Sequence, residues 1–101
     1  MRSTYKAMVR EIMRHGYNVW VSFSGTSKSR SIEFFVWRHR IRIRLADHAS
    51  KKAWEYNYDV YVERPRIGAL SYCEWKADLE NMIKAIREQE KALRGSIFFN
   101  L

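Results

Sequence analysis

With 101 residues, 47% of them hydrophobic and 15% aromatic, the chain can bury one real core and leaves little room for a second. A formal net charge of +8 directs attention to polyanions such as nucleic acid, acidic protein surfaces or anionic lipid. The single cysteine, Cys73, excludes an intramolecular disulfide and a cysteine zinc cluster.

The start MRSTYKAM carries no apolar signal-type core, and no run approaches the roughly 18 apolar residues of a membrane span. The expectation is a cytoplasmic, single-domain protein with no membrane association. The charge is uneven: residues 1–50 hold ten Lys/Arg against three acids, residues 51–101 nine against eight.

In chain order, Tyr5, Met8, Val9, Ile12 and Met13 fall at helical spacing over residues 3–15, and Gly16 is the expected stop. YNVWVSF (17–23) alternates as a strand does, and SGTSKSRS (24–31) reads as a polar loop carrying Lys28 and Arg30. Backbone amides, hydroxyls and two cations in that loop would cradle a phosphate, although the loop lacks the spacing of a nucleotide-binding motif.

SIEFFVW and RIRIRL together exceed one strand, so they predict a hairpin turning at Arg38–His39. Its register pairs Trp37 with Arg40, Val36 with Ile41, Phe35 with Arg42, Phe34 with Ile43, Glu33 with Arg44 and Ile32 with Leu45. One face is then wholly apolar, and the other sets Glu33, Phe35 and Trp37 against the arginines. A slip of one residue would destroy that separation.

ADHASKKAWE (46–55) is a connection, and NYDVYVE (57–63) alternates as a fourth strand. RPRIGA (64–69) reads as a break, through Pro65 and Gly68. Ser71 and Glu74 form a capping box, with Leu70 and Trp75 as its hydrophobic staple. The helix that follows carries Leu79, Met82, Ile83, Ile86 and Leu93, with Gly95 as its end, and the tail SIFFNL is apolar enough for an edge strand. The expected class is α+β: a four-stranded antiparallel sheet with two helices on one face, in the order α-β-β-β-β-α.

The sheet's other face would then present Trp20, Phe35, Trp37 and Tyr61 among Arg40, Arg42 and Arg44. Aromatic rings interleaved with cations are how single-strand platforms hold bases and backbone. The competing account is a self-neutralised strand face, with Arg44 on Glu33, Arg42 over Phe35 and Arg40 over Trp37.

The expected function is therefore a small non-enzymatic protein that binds nucleic acid, single-stranded or RNA, with Arg40, Arg42, Arg44, Trp37, Phe35, Trp20, Lys28 and Arg30 as the binding residues. The residues call for no cofactor, metal or catalytic group. The alternative is an inhibitor or accessory protein that contacts a protein or ribonucleoprotein, since exposed Trp, Tyr and Arg also make interface hot spots. A small ribonuclease using His39 or His48 as base is a third possibility, and an aromatic sheet face would equally serve to seal a homodimer.

The helix-strand-strand-strand order over residues 3–46 resembles the first part of double-stranded RNA-binding domains and of HicA-type toxins. In the former, SKKAW (50–54) is similar to a basic cluster opening the second helix, which implies phosphate contacts by Lys51 and Lys52. Here a strand-like segment follows that cluster. In the toxins a sheet histidine is catalytic; this chain has Ser29, Arg30 and Ser31 at that place, so the activity does not carry over. The serine-studded turn with IRLADH (43–48) is similar to stretches of small phage and mobile-element proteins, which implies an accessory role such as anti-CRISPR or other anti-defence activity.

Overall fold

The computed structural model describes residues 2–23, 29–45 and 57–92. Lys28, His48, Lys51, Lys52, Leu93, Gly95 and the tail 96–101 lie outside the described residues. Seven elements follow in order: α1 (Arg2–Arg14), β1 (Trp20–Phe23), β2 (Arg30–Val36), β3 (His39–Leu45), β4 (Asn57–Val62), β5 (Arg66–Ser71) and α2 (Trp75–Ala92). The strands form one antiparallel sheet in the order β1-β2-β3-β4-β5, so every strand lies beside its sequence neighbours.

Helix α1 buries Met8 and Ile12 completely and tucks Tyr5 and Val9 against the core. Its end is a Schellman motif. Gly16 takes φ of +93° and donates to the Met13 carbonyl at 2.9 Å, while Tyr17 N–H reaches the Ile12 carbonyl at 3.4 Å. Glycine occupies that left-handed position without the Cβ clash an L side chain would suffer.

Alternation decides the sheet. Ile32, Phe34 and Val36 of β2, Ile41, Ile43 and Leu45 of β3, and Tyr58, Val60 and Val62 of β4 are buried on one side. They form a single cluster with Leu79, Ile83 and Ile86 of α2 and with the α1 residues, so both helices cover the same face. Each such side chain taken wholly out of water contributes about 1.5–3 kcal/mol.

The helices are also joined electrostatically through Glu11, which is only 6% exposed. Its carboxylate accepts from Arg14 Nε at 3.1 Å, and it lies 3.4 Å from His15 Nε2 and 3.7 Å from Lys76 Nζ on α2. The Arg14 hydrogen bond holds the Glu11 carboxyl below the usual carboxylate range.

Three expectations need correction. The sheet has five strands, not four, because Arg66–Ser71 pairs with β4 rather than forming a break. Pro65 sits in the turn, where its carbonyl accepts from Val62 N–H at 3.2 Å, and Gly68 lies in an outer strand next to a register shift at Val60/Tyr61. An edge strand tolerates both residues; a central one would not.

The hairpin register is also displaced by two. Val36 faces His39, Phe35 faces Arg40, Phe34 faces Ile41, Glu33 faces Arg42, Ile32 faces Ile43 and Ser31 faces Arg44. The turn is thus Trp37–Arg38. A shift of two preserves which residues share a face, so the apolar and basic sides survive.

Helix α2, finally, starts three residues later than a Ser71 cap would require. Glu74 supplies the first intrahelical carbonyl, to Asp78 N–H at 3.0 Å, and the Asp78 carboxylate turns back to accept the Ser71 amide at 2.9 Å. Ser71 stays in β5 because its backbone is already committed to the strand.

Candidate functional site

The uncovered face of the sheet is assembled by cross-strand pairing. Trp20, Glu33, Arg42, Tyr61 and Arg66 stand opposite one another, strand by strand, across all five strands. Ser22, Ser31, Arg44, Asp59 and Ala69 form a second row. Phe35 faces Arg40 on the other side of the first row, toward the turns.

The exposed rings Trp20 and Phe35 lie on β1 and β2 and the cations on β3 and β5, with Tyr61 of β4 between them. Trp20 and Phe35 meet edge to face, with centroids 5.8 Å apart, and remain 54% and 45% exposed. Arg42 lies over the Tyr61 ring at 4.2 Å rather than over Phe35. Arg40 reaches Glu33 at 3.8 Å, and Arg66 pairs with Asp59 at 2.9 Å. These ion pairs are half exposed and contribute little to stability. Among the described residues Arg44 joins no ion pair, because the carboxylate facing it, Asp59, is taken by Arg66.

Glu63 is a structural carboxylate. Its amide donates to the Arg40 carbonyl at 2.8 Å, and its Oε1 accepts the Arg40 amide at 2.9 Å, closing the end of the β3–β4 ladder. It does so at φ of +58°, a strained value for a non-glycine residue.

The predicted residues divide as follows. Trp20, Phe35, Arg40, Arg42 and Arg44 come together on the open face. Trp37 is not a strand residue: it occupies the β2–β3 turn at the edge of that face, 61% exposed. Arg30 leaves the group, because its position in β2 matches Ile32 and Phe34, on the helix side of the sheet. Lys28 lies outside the described residues. Arg66 joins the face unforeseen, because its segment read as a break.

His39 begins β3 on the side of Ile41 and Ile43, opposite the arginines, so the two do not converge. Among the described residues no cluster of His, Cys, Asp and Glu could hold a metal ion, and no helix is long and apolar enough to cross a membrane.

Trp37 has a φ of +57°, while Arg38 does not share the positive sign, the φ pattern of a type II′ turn in which glycine is preferred. A left-handed bulky residue costs about 1–2 kcal/mol. Strain of this kind persists where the side chain is wanted for another purpose. Trp37→Gly is therefore expected to raise stability by up to about 1 kcal/mol, after the extra freedom of glycine in the unfolded chain is deducted. In thermal melts that is a rise of about 4–8 °C per kcal/mol. A fall in melting temperature would show that packing of Trp37 outweighs its strain.

No family model, curated protein or solved structure matches the chain.

Proposed function

We propose that the protein binds single-stranded nucleic acid on the open face of the sheet. Bases stack on Trp20, Phe35 and Trp37, and the phosphates run beside Arg40, Arg42, Arg44 and Arg66. The observation that carries this reading is the exposed edge-to-face pair of Trp20 and Phe35 beside a strand of alternate arginines. A monomer gains nothing from leaving two rings half in water, whereas a base stacked on either gains about 1–3 kcal/mol.

Arginines two apart on a strand stand about 6.7 Å from one another, a spacing an extended sugar-phosphate backbone can follow. The face reads shape and charge rather than sequence, since hydrogen-bond acceptors such as Glu33 and Asp59 are occupied by arginines. Stacking tolerates any base, so modest sequence preference is the expected behaviour.

The test is a titration of labelled mixed-sequence single-stranded RNA and DNA against the purified chain, monitored by anisotropy from about 50 to 200 mM salt. Neutralising about four phosphates gives a slope near −3 for log K against log salt. No binding at the lowest salt would sink this reading. The same aromatic pair then becomes the anchor of a protein or ribonucleoprotein interface, which co-purification surviving nuclease treatment would reveal.

A further inference from the structure

The positive charge of the first half is not concentrated on the open face. Three of its ten cations, Arg40, Arg42 and Arg44, lie there. Others are on the opposite side of the molecule, where α1 covers the sheet. Lys6 and Arg10 are one helical turn apart and exposed, and among the described residues neither forms an ion pair. Between them runs a cleft of about 350 Å³ lined by Tyr5, Lys6, Val9 and Arg10.

Arg30 closes this group. Its guanidinium lies 4.7 Å from the Tyr5 ring centroid and 4.8 Å from that of Phe23. Two rings fix its orientation, and no carboxylate among the described residues shares it. Phe23 is 65% exposed although it sits at the end of the outermost strand. A guanidinium stacked on rings keeps its N–H edge for a planar or tetrahedral oxyanion.

Strand β1 links the two sides. It is an edge strand of four residues, carrying Trp20 on the open face and Phe23 on the helix side. Both rings are more than half exposed. A chain stacked on Trp20 that turns around this edge meets Phe23, then Arg30, then the α1 cleft.

We infer that Arg30, held between Tyr5 and Phe23, forms with Lys6 and Arg10 a second phosphate-binding site, which takes the continuation of the same nucleic-acid strand around the β1 edge. This rests on the proposed binding at the open face and adds a path and a minimum length to it. On the open face the row from Arg40 to Arg44 spans two steps of about 6.7 Å along β3, which a strand of about four nucleotides covers. Only a longer strand reaches both sites.

The experiment compares single-stranded RNA of about 5 and about 20 nucleotides, binding to the intact chain and to two variants. Lys6→Gln/Arg10→Gln changes only exposed side chains, and Arg30→Gln is added in the second variant. At 0.1 M salt, removing one cation from a phosphate lowers affinity about 5-fold, so the long strand should weaken about 25-fold with the double variant and about 100-fold with the triple. The short strand should be unaffected.

Should the triple variant fail to fold, as circular dichroism would show, the double variant decides alone. Unchanged affinity of both strands overturns the second site and leaves the open-face reading standing. Equal weakening of both overturns the path around the edge. Failure of the unaltered chain to bind either strand removes the open-face reading and this inference together.

Discussion

Arg40→Gln/Arg42→Gln/Arg44→Gln binds a single-stranded oligonucleotide about 100-fold more weakly than the unaltered chain at 0.1 M salt, with the salt slope reduced by about 2. The three side chains project from alternate positions of β3, a central strand, so no rearrangement of the edges can replace them. Their contributions are unequal. Arg44 has no ion pair among the described residues and contributes the most, whereas Arg40 is already drawn 3.8 Å from Glu33. Glutamine keeps the aliphatic stem and the strand pairing, so the folded state persists: exposed ion pairs of this kind stabilise by roughly 0.2–1 kcal/mol. Binding curves at several salt concentrations, alongside melting curves, separate the two effects. An unchanged slope would mean that these arginines meet no phosphate, Arg40 serving only to neutralise Glu33 and Arg42 only to cover Tyr61.

The division of the sheet into an apolar and a basic face was legible because alternation has a period of two, and even a misplaced turn left it intact. The turn itself was not legible. Neither Trp37–Arg38 nor Arg38–His39 offers the glycine or asparagine that marks a two-residue hairpin, and the chain resolves this by placing a tryptophan at positive φ. β5 was hidden by Pro65 and Gly68, whose usual meaning holds for central strands but not for the turn and edge they occupy. Arg66 was hidden with it.

Arg30 could have been placed correctly. It stands two residues before Ile32, so the same alternation that buried Ile32, Phe34 and Val36 assigns it to the helix side. Reading Ser24–Ser31 as one polar loop obscured this. What no spacing could reveal is the third dimension of that assignment: Tyr5 of α1 and Phe23 of β1 closing on the guanidinium from either side.

Adjacent phenylalanines allow the two faces to be tested against each other. Phe34 is fully buried, opposite Ile41 and 5.7 Å from the Tyr17 ring, at the centre of the cluster that joins both helices to the sheet. Phe34→Ala removes that packing and leaves a cavity, a loss of about 3–5 kcal/mol. Domains of this size hold about 5–15 kcal/mol in all, so the variant should lose between about a fifth and all of its stability. Phe35 is the same residue one step along the strand, and its removal has a different consequence. Phe35→Ala forfeits the edge-to-face packing with Trp20 and some half-exposed area, about 1 kcal/mol of stability. Its affinity for a single strand should fall about 5- to 150-fold, the worth of one stacked base. Denaturant unfolding of both variants, followed by titration of the folded Phe35→Ala protein, measures the two quantities independently. If Phe35→Ala binds as the unaltered chain does, its ring is no stacking platform, and the exposed aromatic pair belongs to a protein interface instead.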